Sequence, residues 1–300
     1  MDTQRRHSHL LLLLAAAIWG FAFVAQRVGM RHVRPLTFNG VRFVLGTAAL
    51  APLLLVRRGR FADWTAAPAG SVPRGRILTG GLLAGVLLFG GSTLQQVGVI
   101  YTTAGKAGFI TSLYVILVPI LGLFWGHRTG GRTWFGAVVA MTGLYLLSAK
   151  GMLGIELGDL LVLLGAFFWA GHVLLVGHLV QRLPALPLAV TQFAVCGLLS
   201  LLGAVLLETI RLETLTAAAV PILYAGLLSV AVAYTLQALG QRHARPAPAA
   251  IILSFEAVFA AVGGWLILGE GMSPRGLAGA ALMLLGVILA QGEDRAPGGS

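Results

Sequence analysis

The sequence predicts an all-α integral membrane protein of ten transmembrane helices, arranged as two inverted five-helix repeats. Three observations carry this. Hydrophobic residues make up 57% of the chain and charged residues 10%, with a mean hydropathy of +0.89, whereas soluble domains carry about 25% charged residues. The apolar runs are continuous and longer than strands, so they read as helices and not as barrel strands. The chain also echoes itself. Trp19 aligns with Trp169 and Arg42 with Gln192; after an eight-residue contraction, Gly98 aligns with Gly240, Ser112 with Ser254 and Tyr114 with Glu256.

Ten spans follow in order: Leu10–Ala25, Leu36–Val56, Ile77–Val99, Ala104–Gly126, Trp134–Ser148, Leu157–Val180, Leu188–Leu207, Ala217–Gln237, Ala247–Leu268 and Arg275–Gln291. The first has Arg5 and Arg6 before it, like a signal peptide, but its apolar run continues past Trp19 to Ala25, so it reads as a retained span. Arg57–Arg76 is expected to be a surface loop with an interfacial Phe61–Trp64 contact, and the Gly/Pro-rich 292–300 a disordered tail. Residues 1–150 form the first repeat and 151–291 the second. An odd number of spans per repeat inverts the second half, which is the architecture of transporters that exchange two open states.

The fourth span, Ala104–Gly126, is the most informative. About 20 apolar residues suffice to cross a bilayer, and none needs to be polar. This span carries Lys106, Thr111, Ser112 and Tyr114, with Pro119 beyond them. Polar groups in lipid cost free energy unless they meet partners or water. The helix is therefore expected to line an interior.

Orientation follows from the basic residues. With the N-terminus inside, inner segments hold thirteen Lys and Arg residues and outer segments seven, counted along the chain, which places both termini in the cytoplasm. The cluster Arg27–Arg34 opposes this bias. The net charge of +11 lies mostly in these short loops, so it reads as a topology signal and not as a nucleic-acid surface. The single cysteine, Cys196, allows no intramolecular disulfide, and no Cys/His spacing suggests a metal or other cofactor.

Several stretches now resemble a known family. AAAIWGFAFV (Ala15–Val24) opens the first half and FWA (Phe168–Ala170) the second. VIYTTAGKAGFITSLYVILVPILG (Val99–Gly122) and ILSFEAVFAAVGGWLILGE (Ile252–Glu270) complete the pattern. Together they resemble the drug/metabolite transporter superfamily, in its EamA-type ten-helix branch. The resemblance implies a secondary transporter in the cell (inner) membrane that exports amino acids, other metabolites or drugs. Two departures stand out: Ala257 follows Glu256 where the family often has Pro, and Gly126-His127 stands where the family's fourth helix often ends in Gly-Glu.

Glu256 is the foremost candidate site residue, because a carboxyl near mid-span must be protonated, paired or wet. It is expected to contact substrate or couple protons; a structural hydrogen bond between helices is the plainer reading. Arg42 lies about two turns inside the second span. It suits pairing with Glu256 or with a substrate carboxylate, and snorkelling to the interface equally. Lys106 opposes the dipole at its helix start. It suits an arriving anion, although interfacial solvation accounts for it more simply. His172, near mid-span, is a second proton-coupling candidate; the preferred reading is a hydrogen-bonded histidine in the bundle. His178 lies six residues on, off the same helix face, so the pair does not suggest a metal. Trp19, Trp169, Tyr101, Tyr114 and Tyr234 are candidates for an aromatic lining. Gln95, Gln96, Gln192, Gln237, Asn39, Ser92, Thr93, Thr111, Ser112 and Ser254 are candidates for a polar wall, and helix packing explains many of them. Gly81/Gly85 and Gly122/Gly126 suit close helix contact. Pro119 and Gly263-Gly264 suit bends.

The expected function is alternating access for a small organic solute. The partners are that solute and the bilayer, with protons as a further partner if Glu256 or His172 couples their exchange; facilitated diffusion fits as well. One chain supplies both halves, so a monomer suffices and a dimer is compatible. No P-loop is present, so ATP is not the direct driver. An enzyme would need a nucleophile–base set or paired aspartates, and the aspartates (Asp2, Asp63, Asp159 and Asp294) are read as lying outside the spans. A sensor or scaffold is the alternative, but it has no use for two exchangeable halves.

Overall fold

The computed structural model describes residues 3–55, 72–126, 129–148, 156–271 and 273–291. Among them ten long helices run in succession: α1 (Thr3–Gly29), α2 (Pro35–Leu50, prolonged by a 3-10 turn at Ala51–Leu55), α3 (Arg74–Gly98), α4 (Ala104–Phe124) and α5 (Gly131–Ser148), then α6 (Leu157–Leu179), α7 (Ala185–Leu207), α8 (Ala219–Gln241), α9 (Pro246–Leu268) and α10 (Pro274–Gln291). Eight are long and apolar enough to cross a bilayer on their own. The two shorter ones, α5 and α10, pack against each other along their length. The expected Phe61–Trp64 contact, the junction at 150/151 and the tail 292–300 lie outside the described residues.

Local chemistry sets the ends. Proline opens or directly precedes α2, α3, α7, α9 and α10, where its missing N–H would have had no partner anyway. Thr103 caps α4 by accepting from the Lys106 N–H, and Gly269 closes α9 with a left-handed backbone. Glu208, at the end of α7, accepts from the N–H groups of Leu36 and Thr37 and from the Thr37 hydroxyl, at 2.7–2.9 Å. It thereby caps α2 from the other repeat.

Several helices overrun their apolar segments. α1 starts at Thr3 and not Leu10, and α3 at Arg74 and not Ile77. Polar first turns at an interface keep their helical hydrogen bonds, which hydropathy does not register. Asp159 lies in the first turn of α6, within the sixth span as drawn from Leu157, so the reading that no aspartate lies in a span is corrected.

The packing repeats across the halves. α3 lies against α6 as α8 lies against α1; α4 lies against α6 as α9 against α1; α3 lies against α7 as α8 against α2. The pairs α2–α7, α4–α9 and α5–α10 join equivalent helices. A Cβ on Gly136 would sit 2.6 Å from the Gly286 carbonyl oxygen, and one on Gly143 2.5 Å from that of Gly279. This contact pattern makes α5 and α10 antiparallel and brings their backbones together. The end of α8 lies against the start of α1, Gly240 on Ser8 and Leu12, and the end of α3 against the start of α6, Gly98 on Gly158; with successive helices reversing, Thr3 and Gln291 lie at one end of the bundle, here the terminal end. The loops α1–α2, α3–α4 and α9–α10 lie at the far end.

Candidate functional site

α4 and α9 both break midway, at repeat-related places. Around Leu113 and around Ser254-Phe255 the backbone bonds tighten to i→i+3, as in Ile116 N–H to Leu113 and Ala257 N–H to Ser254. The breaks lie at Leu113 and Ser254, not at Pro119 or Gly263-Gly264. They meet at the centre, where the Ser112 hydroxyl donates to the Ser254 carbonyl at 3.2 Å. Beyond each break a new helical segment starts, with Tyr114 in α4 and Glu256 in α9. An acidic group at such a start sits at the favourable end of the helix dipole.

Beside this crossing is a cavity lined from both halves. Its wall contains repeat-related pairs: Trp19 with Trp169, Phe23 with Val173, Gln95 with Gln237, and Tyr114 with Glu256. The pairs match in position but not in charge. Arg42 comes from the first half and Glu256 from the second, and their counterparts, Gln192 and Tyr114, are neutral. The free space is about 40 Å³, which suits a few water molecules.

Arg42 is 3% exposed and does not snorkel. Its guanidinium lies 4.9 Å from the Phe43 ring centroid and 5.7 Å from that of Phe38, contacts that stabilise a desolvated cation. No ion pair joins it to Glu256, and its Nε has no hydrogen-bond partner. The Tyr114 and Ser112 hydroxyls are the polar groups beside the Glu256 carboxyl. Oε1 and the Tyr114 hydroxyl nevertheless close no bond of proper geometry, so this is a close approach and not a bond. The Gln237 Oε1 is also unpartnered.

The remaining wall is fixed by hydrogen bonds. Gln95 donates to Gln26 at 2.9 Å, and its Oε1 accepts from the Trp169 indole at 2.9 Å and from Thr111 at 3.4 Å. The His172 Nε2 donates to the Gln192 amide oxygen at 2.8 Å, while Nδ1 has no partner. Trp19 donates to the Ser229 carbonyl at 3.2 Å. Ser229 lies in a π-helical stretch of α8, Tyr224–Ala233, of a kind frequent at functional sites. Tyr234 follows it, with its ring 4.7 Å from Trp19 and 6.3 Å from Trp169.

The structure thus gathers Glu256, Arg42, His172, Trp19, Trp169, Tyr114 and Gln95 around one cavity. Gln192 stands behind His172, and Ser254 belongs to the helix crossing. Tyr101 is half-exposed at the far end, away from the cavity. Asn39 and Gln96 are fully buried, with the nitrogen and oxygen of both side-chain amides unbonded. Gly81 and Gly85 do pack tightly, on Thr191 and Val195 of α7; Gly126 instead follows the end of α4 with φ 73°, where an added Cβ would meet nothing within 4 Å.

Lys106 is not simply solvated. Its Nζ lies 2.6 Å from Asp159 Oδ2. Asp159 also accepts from the Thr102 hydroxyl and from the Glu156 N–H, each at 3.1 Å. Arg27 donates to the carbonyls of Val99 and Thr102. Asp159, Arg27 and Thr102 carried no signal as a group in the sequence, because they meet only through the register of α1, α4 and α6. The unpaired charge of Lys106 at a helix start was the one available hint.

Known proteins share this architecture. A crystal structure of 18% sequence identity superposes with a TM-score of 0.73, covering 95% of this chain and 98% of that one. An uncharacterized transporter of Archaeoglobus fulgidus is 32% identical over 287 residues, spanning 95% of this chain and 86% of its own. A probable amino-acid metabolite efflux pump of Salmonella typhimurium is 26% identical over 305 residues, spanning 95% and 94%. The pattern of the EamA-like transporter family matches twice, over residues 7–149 and 156–291. With both matches spanning nearly all of a ten-helix bundle built around one central cavity, the chain belongs to the EamA-like transporter family.

Proposed function

We propose that the protein exports small zwitterionic solutes of the amino-acid type by alternating access, residues 1–150 and 151–291 acting as the exchanging halves. The observation that carries this is the charge layout of the cavity. Arg42, from one half, suits a carboxylate, and Glu256 with the Gln237 oxygen, from the other, suits an ammonium group. Unbonded polar atoms on both sides support a ligand completing them. Trp19, Trp169 and Tyr234 suit an apolar side chain. The name of the Salmonella relative accords with this chemistry. The protein sits in the inner membrane as a monomer with cytoplasmic termini, and its terminal end faces the cytoplasm. Proton exchange through Glu256 or His172 drives export.

The test is thermal stability of the purified protein with L-phenylalanine, phenylacetate and phenethylamine, followed by counterflow of labelled L-phenylalanine in liposomes. A ligand at 100 times its dissociation constant adds about 2.7 kcal/mol. Stabilisation by the zwitterion alone, with counterflow, is expected. Equal stabilisation by a singly charged analogue would overturn the zwitterion assignment. Binding without counterflow would favour a sensor, and no response to any amino acid would reject the substrate class.

A further inference from the structure

The two ends of the bundle are built on one repeat pattern, and they differ where it matters for opening. At the far end Lys106 of α4 pairs with Asp159 of α6, which joins the two halves. Thr102 bonds the same carboxylate, and Arg27 of α1 grips the Thr102 carbonyl. The backbones come close at both ends, a Cβ on Gly158 lying 2.8 Å from the Gly98 carbonyl oxygen at the far end and one on Gly240 3.0 Å from that of Ser8 at the terminal end, so the two ends differ in their side chains. Through the repeat, Lys106 corresponds to Pro248, Thr102 to Ala244, Arg27 to Gly177 and Asp159 to His9. Neither Pro248, Ala244 nor Gly177 has a side chain able to form an ion pair or donate a side-chain hydrogen bond. At that terminal end the helices leave a vestibule of about 620 Å³, with Ala244 and Pro248 in its wall.

We infer that Arg27, Thr102, Lys106 and Asp159 form the far-side gate of the transport route. The gate is latched here while the terminal side stands open. This rests on the alternating-access reading and adds the residues that hold one state. The latch touches the cavity through sequence neighbours: Arg27 follows Gln26, which holds Gln95 and through it Trp169. A solute that moves Trp169 therefore pulls on the helix that carries Arg27. The buried, unbonded amides of Asn39 and Gln96 fit the same picture, because opening the far half would hydrate them.

The test needs no substrate. In a Cys196→Ala background, Thr111→Cys places a reporter thiol in the cavity. Its modification by a membrane-impermeant cationic thiol reagent is followed from each face of oriented vesicles. With the latch intact, modification from the far face is expected to be slow. Asp159→Asn and Lys106→Gln should each raise that rate about tenfold, and the exchange Lys106→Asp with Asp159→Lys should return it towards the starting value. Monodispersity and melting temperature show that each variant is folded. Unchanged far-face rates in folded single variants overturn the gate, as does a charge exchange that leaves the rate high. The transport reading fails separately: gated labelling without L-phenylalanine counterflow keeps the gate and removes the proposed cargo.

Discussion

Tyr114 and Glu256 occupy the same place in the two repeats, and their side chains approach each other in the central cavity. Each begins the helical segment beyond a break. The second half thus carries a carboxyl where the first carries a phenol, and a two-fold scaffold becomes a polar, directional site. The Tyr114 hydroxyl has no bond to lose. Tyr114→Phe removes a buried hydroxyl that has no partner, so it is expected to hold or raise the melting temperature, and a fall in L-phenylalanine counterflow would show that the solute uses that hydroxyl. Glu256→Gln keeps the shape and removes the charge. It is expected to cut counterflow about tenfold or more, a change of roughly 1.4 kcal/mol, with little change in melting temperature. A Glu256→Gln protein that transports at the starting rate would remove the ammonium-binding role.

His172 and Gln192 give a second prediction, concerning stability. Both are buried, and their 2.8 Å bond holds the ring edge-on to Trp169. Gln192→Leu strands the Nε2 donor away from water, which costs about 1–3 kcal/mol. Replacing both partners with apolar residues removes the unmet demand. His172→Phe with Gln192→Leu should accordingly be more stable than the sum of the single changes. Thermal unfolding in detergent measures this cycle, and strict additivity would show that the bond contributes nothing.

Much of this was written in the sequence. Ten apolar runs gave the bundle, and the aligned residues Trp19/Trp169 and Tyr114/Glu256 located its centre. Those signals are local or repeat at fixed spacing, so one dimension suffices to read them. The rest depends on register between distant helices. Lys106 looked solvated because its partner, Asp159, lies 53 residues on and no local spacing links the two. Tyr101 looked like a lining residue because an aromatic next to a span does not disclose which way it points. The breaks at Leu113 and Ser254 have no proline or glycine at them, and the π-helical turn around Ser229 leaves no mark in hydropathy. The Trp19 indole on the Ser229 carbonyl shows what that turn presents to the cavity wall.

Backbone contact between α5 and α10 gives the last prediction. These helices are short, and they pack mainly on each other, with smaller contacts to α4 and α9. At Gly136 an added Cβ would lie 2.6 Å from the Gly286 carbonyl oxygen and 2.9 Å from the Ala290 backbone nitrogen. Neither can yield without moving a whole helix. Gly136→Ala should therefore destabilise by about 1–3 kcal/mol, against the gain of up to about 1 kcal/mol that Ala normally brings inside a helix. Gly75→Ala, in the first turn of α3 with nothing within 4 Å, feels only that gain and serves as the control. Melting temperatures that fall for Gly136→Ala and hold or rise for Gly75→Ala would confirm the contact. Equal behaviour would mean that α5 and α10 stand farther apart in the bilayer, and that their pairing does not brace the two halves.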